Sequence, residues 1–394
     1  MDHPAGGTGT PAVPVRAGSC TYGAWSGSQR YVRLCDGAES DEIHGSLAEA
    51  VAAAYPRLSH RYYALKAKAM GKDRLAHWDR NAPIESAPPR VFDWREGRRI
   101  VLDSFGALGG DFADRARGFF DRPWIDGKAR AGKQSGAYAH PVTADRHPYV
   151  FLNWMGERRD VLTLAHELGH GVHQVLAARQ GPLMAPTPLT LAETASVFGE
   201  MLTFRSLLEK TPDPRQRRFL IASKVEDMIN TVIRQIAFYM FERKVHEARR
   251  AGELTTAQIG QFWLEVQGES LGPAIRLNEG YELFWTYVPH FIRSPFYVYA
   301  YAFGDCLVNS LYAVYQNAQS GFQEAYFDML RAGGSKRHGE LLAPFGLDAS
   351  DPSFWSRGLS MISRFIDELE REAEVAPARA HRRALRRGRA RQHG

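Results

Sequence analysis

The chain has 394 residues, 44% of them hydrophobic and 24% charged, which excludes a peptide module and a largely disordered protein. At about 150 residues per domain the length fits two or three domains, or one large helical domain. The formal charge of +6 is concentrated at the C-terminus, where Arg379, Arg382, Arg383, Arg386, Arg387, Arg389 and Arg391 occur without an acid, so the rest carries −1 and presents no nucleic-acid or membrane footprint.

Residues 1–44 are rich in Gly, Pro and Ser without a sustained hydrophobic period and read as an unpacked leader. Ser46 and Glu49 have capping-box spacing ahead of LAEAVAAAY, and Pro56 is expected to break that helix and open RLSHRYYALKAKAMG as the second arm of a hairpin. A helix over about 94–107 precedes a Gly- and Pro-punctuated region holding two strand candidates, SGAYAH (135–140) and PYVFLNW (148–154). From residue 159 onward the pattern is helical. ERRDVLTLAHELGHGVHQVLAARQ has apolar residues at three- and four-residue spacing and stops at Gly181-Pro182. TLAETASVFGEMLTFRSLLEK follows, with Thr190 and Glu193 as its expected capping box, then a long helix from Asp213-Pro214 to about Arg250. Further helices are expected near 256–270, 295–318, 321–332 and 352–371. The fold class is therefore mainly α with a small sheet, divided into a leader (1–44), a helical domain (45–374) and a basic tail (375–394).

Cys20, Cys35 and Cys306 show no CxxC spacing, so neither a disulfide framework nor a zinc knuckle is expected. No apolar run reaches the roughly 20 residues of a membrane span and the N-terminus lacks a signal-peptide core, making a cytoplasmic address the expectation.

The chemistry is concentrated in His166-Glu167-Leu168-Gly169-His170. Four residues apart on a helix, His166 and His170 lie on one face and can reach one zinc ion, with Glu167 beside it to take a proton from a zinc-bound water. Val161, Leu162, Leu164, Ala165, Leu168, Val172 and Val175 make this helix too apolar for a free surface, so its imidazoles need partners. Glu193 on the following helix is the candidate third ligand, and Glu200, two turns further on, can hold a ligand histidine through its other ring nitrogen. The plainer alternatives are a capping role for Glu193 and a solvated Glu200. Three histidines on one helix strain tetrahedral geometry, which gives His173 a supporting or packing role.

TLAHELGHGVHQ, with LAETASVFGE behind it and PHFIRSPFYVYAYAFG (289–304) near the end, closely resembles the thimet oligopeptidase / oligoendopeptidase F family of zinc peptidases, nearest the oligoendopeptidase F branch. The resemblance extends from about Ser46 to Glu370. It implies a multi-helical zincin-like metallopeptidase fold around a deep channel, with a small β element beside the motif helix. It also implies one Zn2+ per chain and hydrolysis of short oligopeptides. Carried onto this sequence, the zinc ligands are His166, His170 and Glu193, with Glu167 as general base. His290, Tyr297 and Tyr299 fall where the family places donors to the oxyanion; His290 and Tyr299 rank above Tyr297, and Tyr301 below it. Without the resemblance the aromatic run would read as core packing. SGAYAH and PYVFLNW resemble the family's substrate-side segments, which makes Gly136, Ala137, Tyr138 and Asn153 the candidate substrate contacts through β-addition, against an ordinary hairpin.

Full-length relatives carry a substantial helical region ahead of the matched part, whereas this chain reaches its zinc motif at residue 166 and its first 45 or so residues match nothing in the family. The expectation is a catalytic half whose opposite wall is absent or supplied by something else. Two further readings follow: a zinc-binding but inactive remnant or partner subunit, and a zinc carboxypeptidase in which a basic residue such as Arg293 holds the substrate's terminal carboxylate. Two imidazoles and a carboxylate suit zinc and also tolerate cobalt or manganese.

Overall fold

The computed structural model describes residues 41–84, 90–317 and 321–391; most of the expected leader lies outside the described residues. Helix α1 (Asp41–Ala54) starts inside the expected leader, so Ser46 sits within it and caps nothing. Pro56 does not turn the chain into a hairpin. Tyr55 and Arg61 keep right-handed helical angles, and a π-turn (Pro56–His60) carries α1 straight on into α2 (Arg61–Ala69). A proline ring clashes with the carbonyl four residues back in a regular helix. Here the ladder widens instead, His60 N–H reaching Tyr55 O at 3.1 Å.

After β1 (Leu75–Ala76), helix α3 (Trp94–Leu108) is capped by Asp93, whose Oδ1 accepts from Glu96 N–H at 2.7 Å. Helix α4 (Gly110–Asp121) was not legible behind its two leading glycines, although Phe112, Ala113, Ala116 and Phe119 bury one face at helical spacing. Strands β2 (Ile125–Lys128), β3 (Tyr138–His140) and β4 (Tyr149–Trp154) form a sheet in the order β2-β4-β3. The central β4 pairs parallel with β2 and antiparallel with β3, in the register Ala139 opposite Val150. Only β3 and β4 were predicted, because the short polar IDGK run of β2 shows no alternation.

Helix α5 (Arg158–Ala177) carries the histidine motif and buries Val161, Leu164, Ala165, Leu168 and Val172 completely. Short helices α6 (Gly181–Met184) and α7 (Leu189–Ala192) lead to α8 (Thr194–Glu209). Gly169 lies against Ala195 and Ser196, and Gly199 against Ala165, so α5 and α8 run antiparallel at glycine-permitted distance. Asp213 caps α9 (Pro214–Met228), which continues through a π-turn (Ile229–Ile233) into α10 (Arg234–Arg249) as a single rod. Helix α11 (Thr256–Leu271) precedes β5 (Ile275–Arg276), which pairs parallel with β1.

The C-terminal part comprises α12 (His290–Arg293), α13 (Tyr299–Asn317), α14 (Phe322–Arg331), α15 (His338–Leu342) and α16 (Pro352–Arg391). Helix α13 starts at Tyr299 rather than near 295, because Phe296 just ahead of it has φ +60°. Helix α16 runs on to Arg391, through the basic segment, instead of ending near 371. The buried free thiol Cys306 sits on α13, which packs against α16 and α8 in the core. Among the described residues no helix is long and apolar enough to cross a membrane.

A Cβ at Gly169 would fall 2.4 Å from Ala195 O and 2.6 Å from Ser196 Cα, backbone atoms that can yield only if α8 moves. Gly169→Ala is therefore expected to destabilise the protein by on the order of 1–3 kcal/mol. Gly118→Ala in α4, where a Cβ meets nothing within 4 Å, is expected to stabilise it by up to about 1 kcal/mol. Urea midpoints of the two variants check both signs.

Candidate metal centre and its surroundings

Helix α5 sets the rings of His166 and His170 one above the other, with centroids 4.9 Å apart and planes at 80°. Glu193 sits at the junction of α7 and α8, and its Oε2 lies 3.4 Å from His166 Nε2 and 3.4 Å from His170 Nε2. The expected capping box with Thr190 does not form. The carboxylate turns to the imidazoles instead and accepts from Ser196 Oγ at 2.7 Å. The three ligand atoms lie within 4.8 Å of one another. Around a tetrahedral ion with ligands at about 2.0–2.1 Å, neighbouring donors stand about 3.3–3.4 Å apart, so this donor set fits a zinc-type ion without rearrangement of the two histidine–glutamate pairs.

Behind His166 a chain of half-buried and buried polar groups fixes its ring. Glu200 Oε2 is 3.2 Å from His166 Nδ1, and Glu200 Oε1 accepts from Lys224 Nζ at 2.7 Å. With Nδ1 donating to Glu200, Nε2 faces the Glu193 side. Burial favours neutral forms here, but the surrounding charges win. The hydrogen bond to Glu200 and the carboxylates of Glu193, Glu200 and Glu167 push the ion-free His166 up to about 9 against its desolvation. Lys224 and His166 hold Glu200 down to about 2 against its own burial, and His170 and His166 do the same for Glu193, also to about 2. Glu167 is the exception: desolvation raises its pKa in spite of the two histidines. The Ala139 backbone on β3 also draws the Glu167 carboxyl down in part. His173 stays apart from the triangle, buried, depressed to about 4 by desolvation and paired with Thr187 Oγ1 at 3.3 Å.

A cavity of about 410 Å³ lies over His166, Glu167 and Glu193, with Tyr301, Asp227 and Arg159 also in its wall. Tyr301 Oη is 3.4 Å from His290 Nε2, and the His290 ring stacks on Tyr297 at 5.7 Å. Tyr297 and Tyr301 touch at 5.4 Å, and both phenols are raised by burial and by the Glu193 carboxylate. His290, Tyr297 and Tyr301 thus form one cluster beside Glu193. Tyr299 does not join it. Its side chain is buried against Tyr239 in the core, about 200° round α13 from Tyr301. Tyr301, ranked below Tyr299 in the sequence analysis, is the one of the two that lines the cavity.

Strand β3 is an edge strand of its sheet, beside α5, with Ala139 O accepting from Gln174 Nε2 at 3.3 Å. Tyr138 is exposed and stacks on Phe151, while Ala137 is partly buried against the core. Asn153 faces the strand's approach: its Nδ2 donates to Gln134 O at 2.8 Å and Gly136 O at 3.2 Å, so it ties the turn that sets β3. Arg293 is exposed and is not among the residues that line this cavity. Sequence reading missed Lys224, Asp227, Asp305, Arg159 and Ala139. Lys224 and Asp305 did carry a signal: each is a lone charge at a core-facing position, among Leu220, Ile221, Val225 and Met228 or between Phe303 and Leu307.

The family model of peptidase family M3 matches residues 111–361. An oligoendopeptidase F homolog of Lactococcus lactis subsp. lactis (strain IL1403) is 28% identical over 349 residues, covering 88% of this chain and 57% of the relative. Oligopeptidase PepF of Bacillus subtilis (strain 168) is 27% identical over 345 residues, 87% of this chain and 51% of the relative. The chain therefore spans little more than half the length of these curated relatives. Among solved structures, a putative peptidase from Chlamydophila abortus superposes with a TM-score of 0.79 at 26% identity, over 88% of this chain and 57% of that one. Oligoendopeptidase-F from Enterococcus faecium, at TM-score 0.67 and 22% identity over 88% and 55%, shares the fold.

Asp305 offers a pH test of the buried charge network. Burial pushes it up to about 6, opposed by Lys224 and by the hydrogen bond from Asn309. A carboxyl raised in the folded state contributes stability that is full below its unfolded value near 4 and lost as pH rises past 6. Asp305→Asn is thus expected to gain on wild type between pH 4 and pH 8 by about 2–3 kcal/mol, read as a melting-temperature difference of metal-free proteins that grows more positive with pH.

Proposed function

The chain belongs to peptidase family M3, and from that premise we propose that it is a zinc-dependent endopeptidase of short oligopeptides. The observation that carries the reading is the triangle of His166 Nε2, His170 Nε2 and Glu193 Oε2, closed at 3.4 Å on two sides, with Glu167 beside it at the cavity. In this reading His166, His170 and Glu193 hold the ion. When bound, zinc supplies Lewis acidity that makes a water nucleophilic near neutral pH and polarises the scissile carbonyl.

Glu167 takes a proton from the attacking water as its oxygen bonds to the carbonyl carbon. It then delivers that proton to the departing nitrogen as the C–N bond breaks. Its raised pKa suits a base that must also act as an acid. Negative charge gathers on the former carbonyl oxygen, and the His290–Tyr297–Tyr301 cluster supplies donors for it, with Tyr301 foremost because it lines the cavity. Glu200, neutralised by Lys224, keeps the His166 ring in one tautomer. The edge of β3 offers backbone groups to an extended peptide at Gly136, Ala137 and Tyr138, while Asn153 holds the turn in place. Recognition through main-chain atoms tolerates many side chains, which agrees with a broad oligopeptide substrate class.

The test is hydrolysis of an internally quenched peptide of about ten residues, blocked at both ends, by protein of measured zinc content. Glu167→Gln is expected to keep its zinc and lose about 10²–10⁴-fold in kcat. Tyr301→Phe should lose about 10²–10³-fold, while Tyr299→Phe stays within about threefold of wild type because its ring faces the core. Stoichiometric zinc with no cleavage by the wild type would sink the reading; cleavage only of peptides with a free C-terminus would replace it by a carboxypeptidase.

A further inference from the structure

The segment between α12 and α13 carries Tyr297 and sets where α13, and with it Tyr301, begins. Its backbone is held where a bulky residue seldom goes: Phe296 has φ +60°, in the left-handed region. Such a conformation persists only where the surroundings over-determine it. Three residues of α10 do so here. The Phe296 ring lies 4.7 Å from His246 and 6.3 Å from Tyr239, and its N–H donates to Glu242 Oε1 at 2.9 Å. Tyr239, Glu242 and His246, at spacings of three and four, share one face of the helix.

Glu242 is a poor choice for packing alone. It is 2% exposed, its second oxygen has no hydrogen-bond partner among the described residues, and burial pushes its pKa up to about 8 with only the Phe296 N–H pulling the other way. A buried carboxyl with one hydrogen bond destabilises a core that a leucine or methionine would fill without loss. What the carboxyl contributes is an acceptor aimed at one backbone N–H in a strained turn.

We propose that Glu242 is a positioning residue of the peptidase site: by accepting the Phe296 N–H it locks residues 294–298 in their left-handed turn and so fixes Tyr297 and Tyr301, with His290, beside Glu193. The link runs through the backbone. Tyr297 is the next residue, Tyr297 N–H bonds to Ser294 O at 3.2 Å, and Tyr301 N–H bonds to Val298 O at 3.3 Å, so a turn that opens releases both phenols. The catalytic consequence rests on the reading of His290, Tyr297 and Tyr301 as the oxyanion donors; the locking of the turn does not.

The test compares full-length, zinc-loaded wild type, Glu242→Leu, Glu242→Met and Glu242→Gln by amide hydrogen exchange, melting temperature, zinc content and peptide kinetics. Leu and Met remove the acceptor while filling its space, and two shapes guard against one that fails to fold. They are expected to melt no lower than wild type and keep their zinc. Exchange across residues 294–301 should speed up at least about tenfold and kcat fall at least about tenfold, with KM within about threefold. Gln keeps an acceptor and should remain within about threefold of wild type in both. A purely structural role predicts the opposite coupling, with activity lost only as stability is lost. Wild-type exchange at 294–301 in both apolar variants would overturn the proposal, as would wild-type kcat in them or a Gln variant as impaired as Leu. A wild type that cleaves nothing sinks the peptidase reading, and the exchange comparison still decides whether Glu242 holds the turn.

Discussion

Gly169 has no side chain, and the space where its Cβ would stand is taken by the carbonyl of Ala195 and the Cα of Ser196. That backbone contact sets the distance between α5 and α8, and the rest of the site depends on it. Glu193 lies two residues before Ala195, so the approach that crowds Gly169 also brings its carboxylate to 3.4 Å from both imidazoles. Gly199 repeats the arrangement further along, where Ala165 O and the Phe105 ring fill the place of its Cβ, and Glu200 next to it reaches His166 Nδ1. Two glycines thus place two carboxylates. The helices are packed by the removal of side chains at the contact, and the polar groups are positioned as neighbours of those gaps.

Bringing so many charges into one place has an electrostatic consequence. Glu167, Glu193, Glu200, Asp227 and Asp305 line or back the cavity, against Lys224 and Arg159. Without a cation the excess holds His166 high, and it adds to the burial that raises Asp227 and Asp305 to about 6, while Glu200 is held near 2. Lys224 decides which carboxylates stay ionised: Glu200, in direct contact with it, remains charged, and the two aspartates further off do not share the benefit fully. A divalent cation at the histidines would relieve the same excess, and this gives the acidic surroundings a reason that packing does not.

The sequence made the local part of this site legible and not the distant part. His166 and His170 could be read together because helical spacing alone puts them on one face, and Glu193 and Glu200 because two turns of the next helix separate them. The place of Tyr301 in the cavity wall was not legible for a related reason. Alternate tyrosines on a helix cannot face one way, but which of them faces the site depends on where α13 starts, and that is set by the φ of Phe296, which no periodicity reveals. The Pro56 hairpin and the Thr190–Glu193 capping box failed for a common cause: a strong local signal was overridden by what the neighbouring element offered. At Pro56 the helix widened by a residue and continued; at Glu193 two imidazoles outbid a helix N-terminus. Helix α4 and strand β2 escaped notice because glycines and a short polar run hid a buried face that only tertiary packing defines.

The rod formed by α9 and α10 ties the two halves of the site together. Lys224 on its first half holds Glu200 against His166, and Glu242 on its second half accepts from the Phe296 N–H in the turn that leads to Tyr297 and Tyr301. The two residues are eighteen apart, about five turns of regular helix, which would put them on one face. They serve different elements because about 27 Å of helix separates them, and the π-turn at Ile229–Ile233 also lies between them. One residue of widening rotates everything after it by on the order of 100°. The same turn borders the cavity, where Met228, Asn230 and Thr231 form part of the wall. A regular helix there would still support one side of the site but would point its other support away from the turn at Phe296. The length of the rod sets how far apart its two supports act, and the irregularity sets which way the second of them faces.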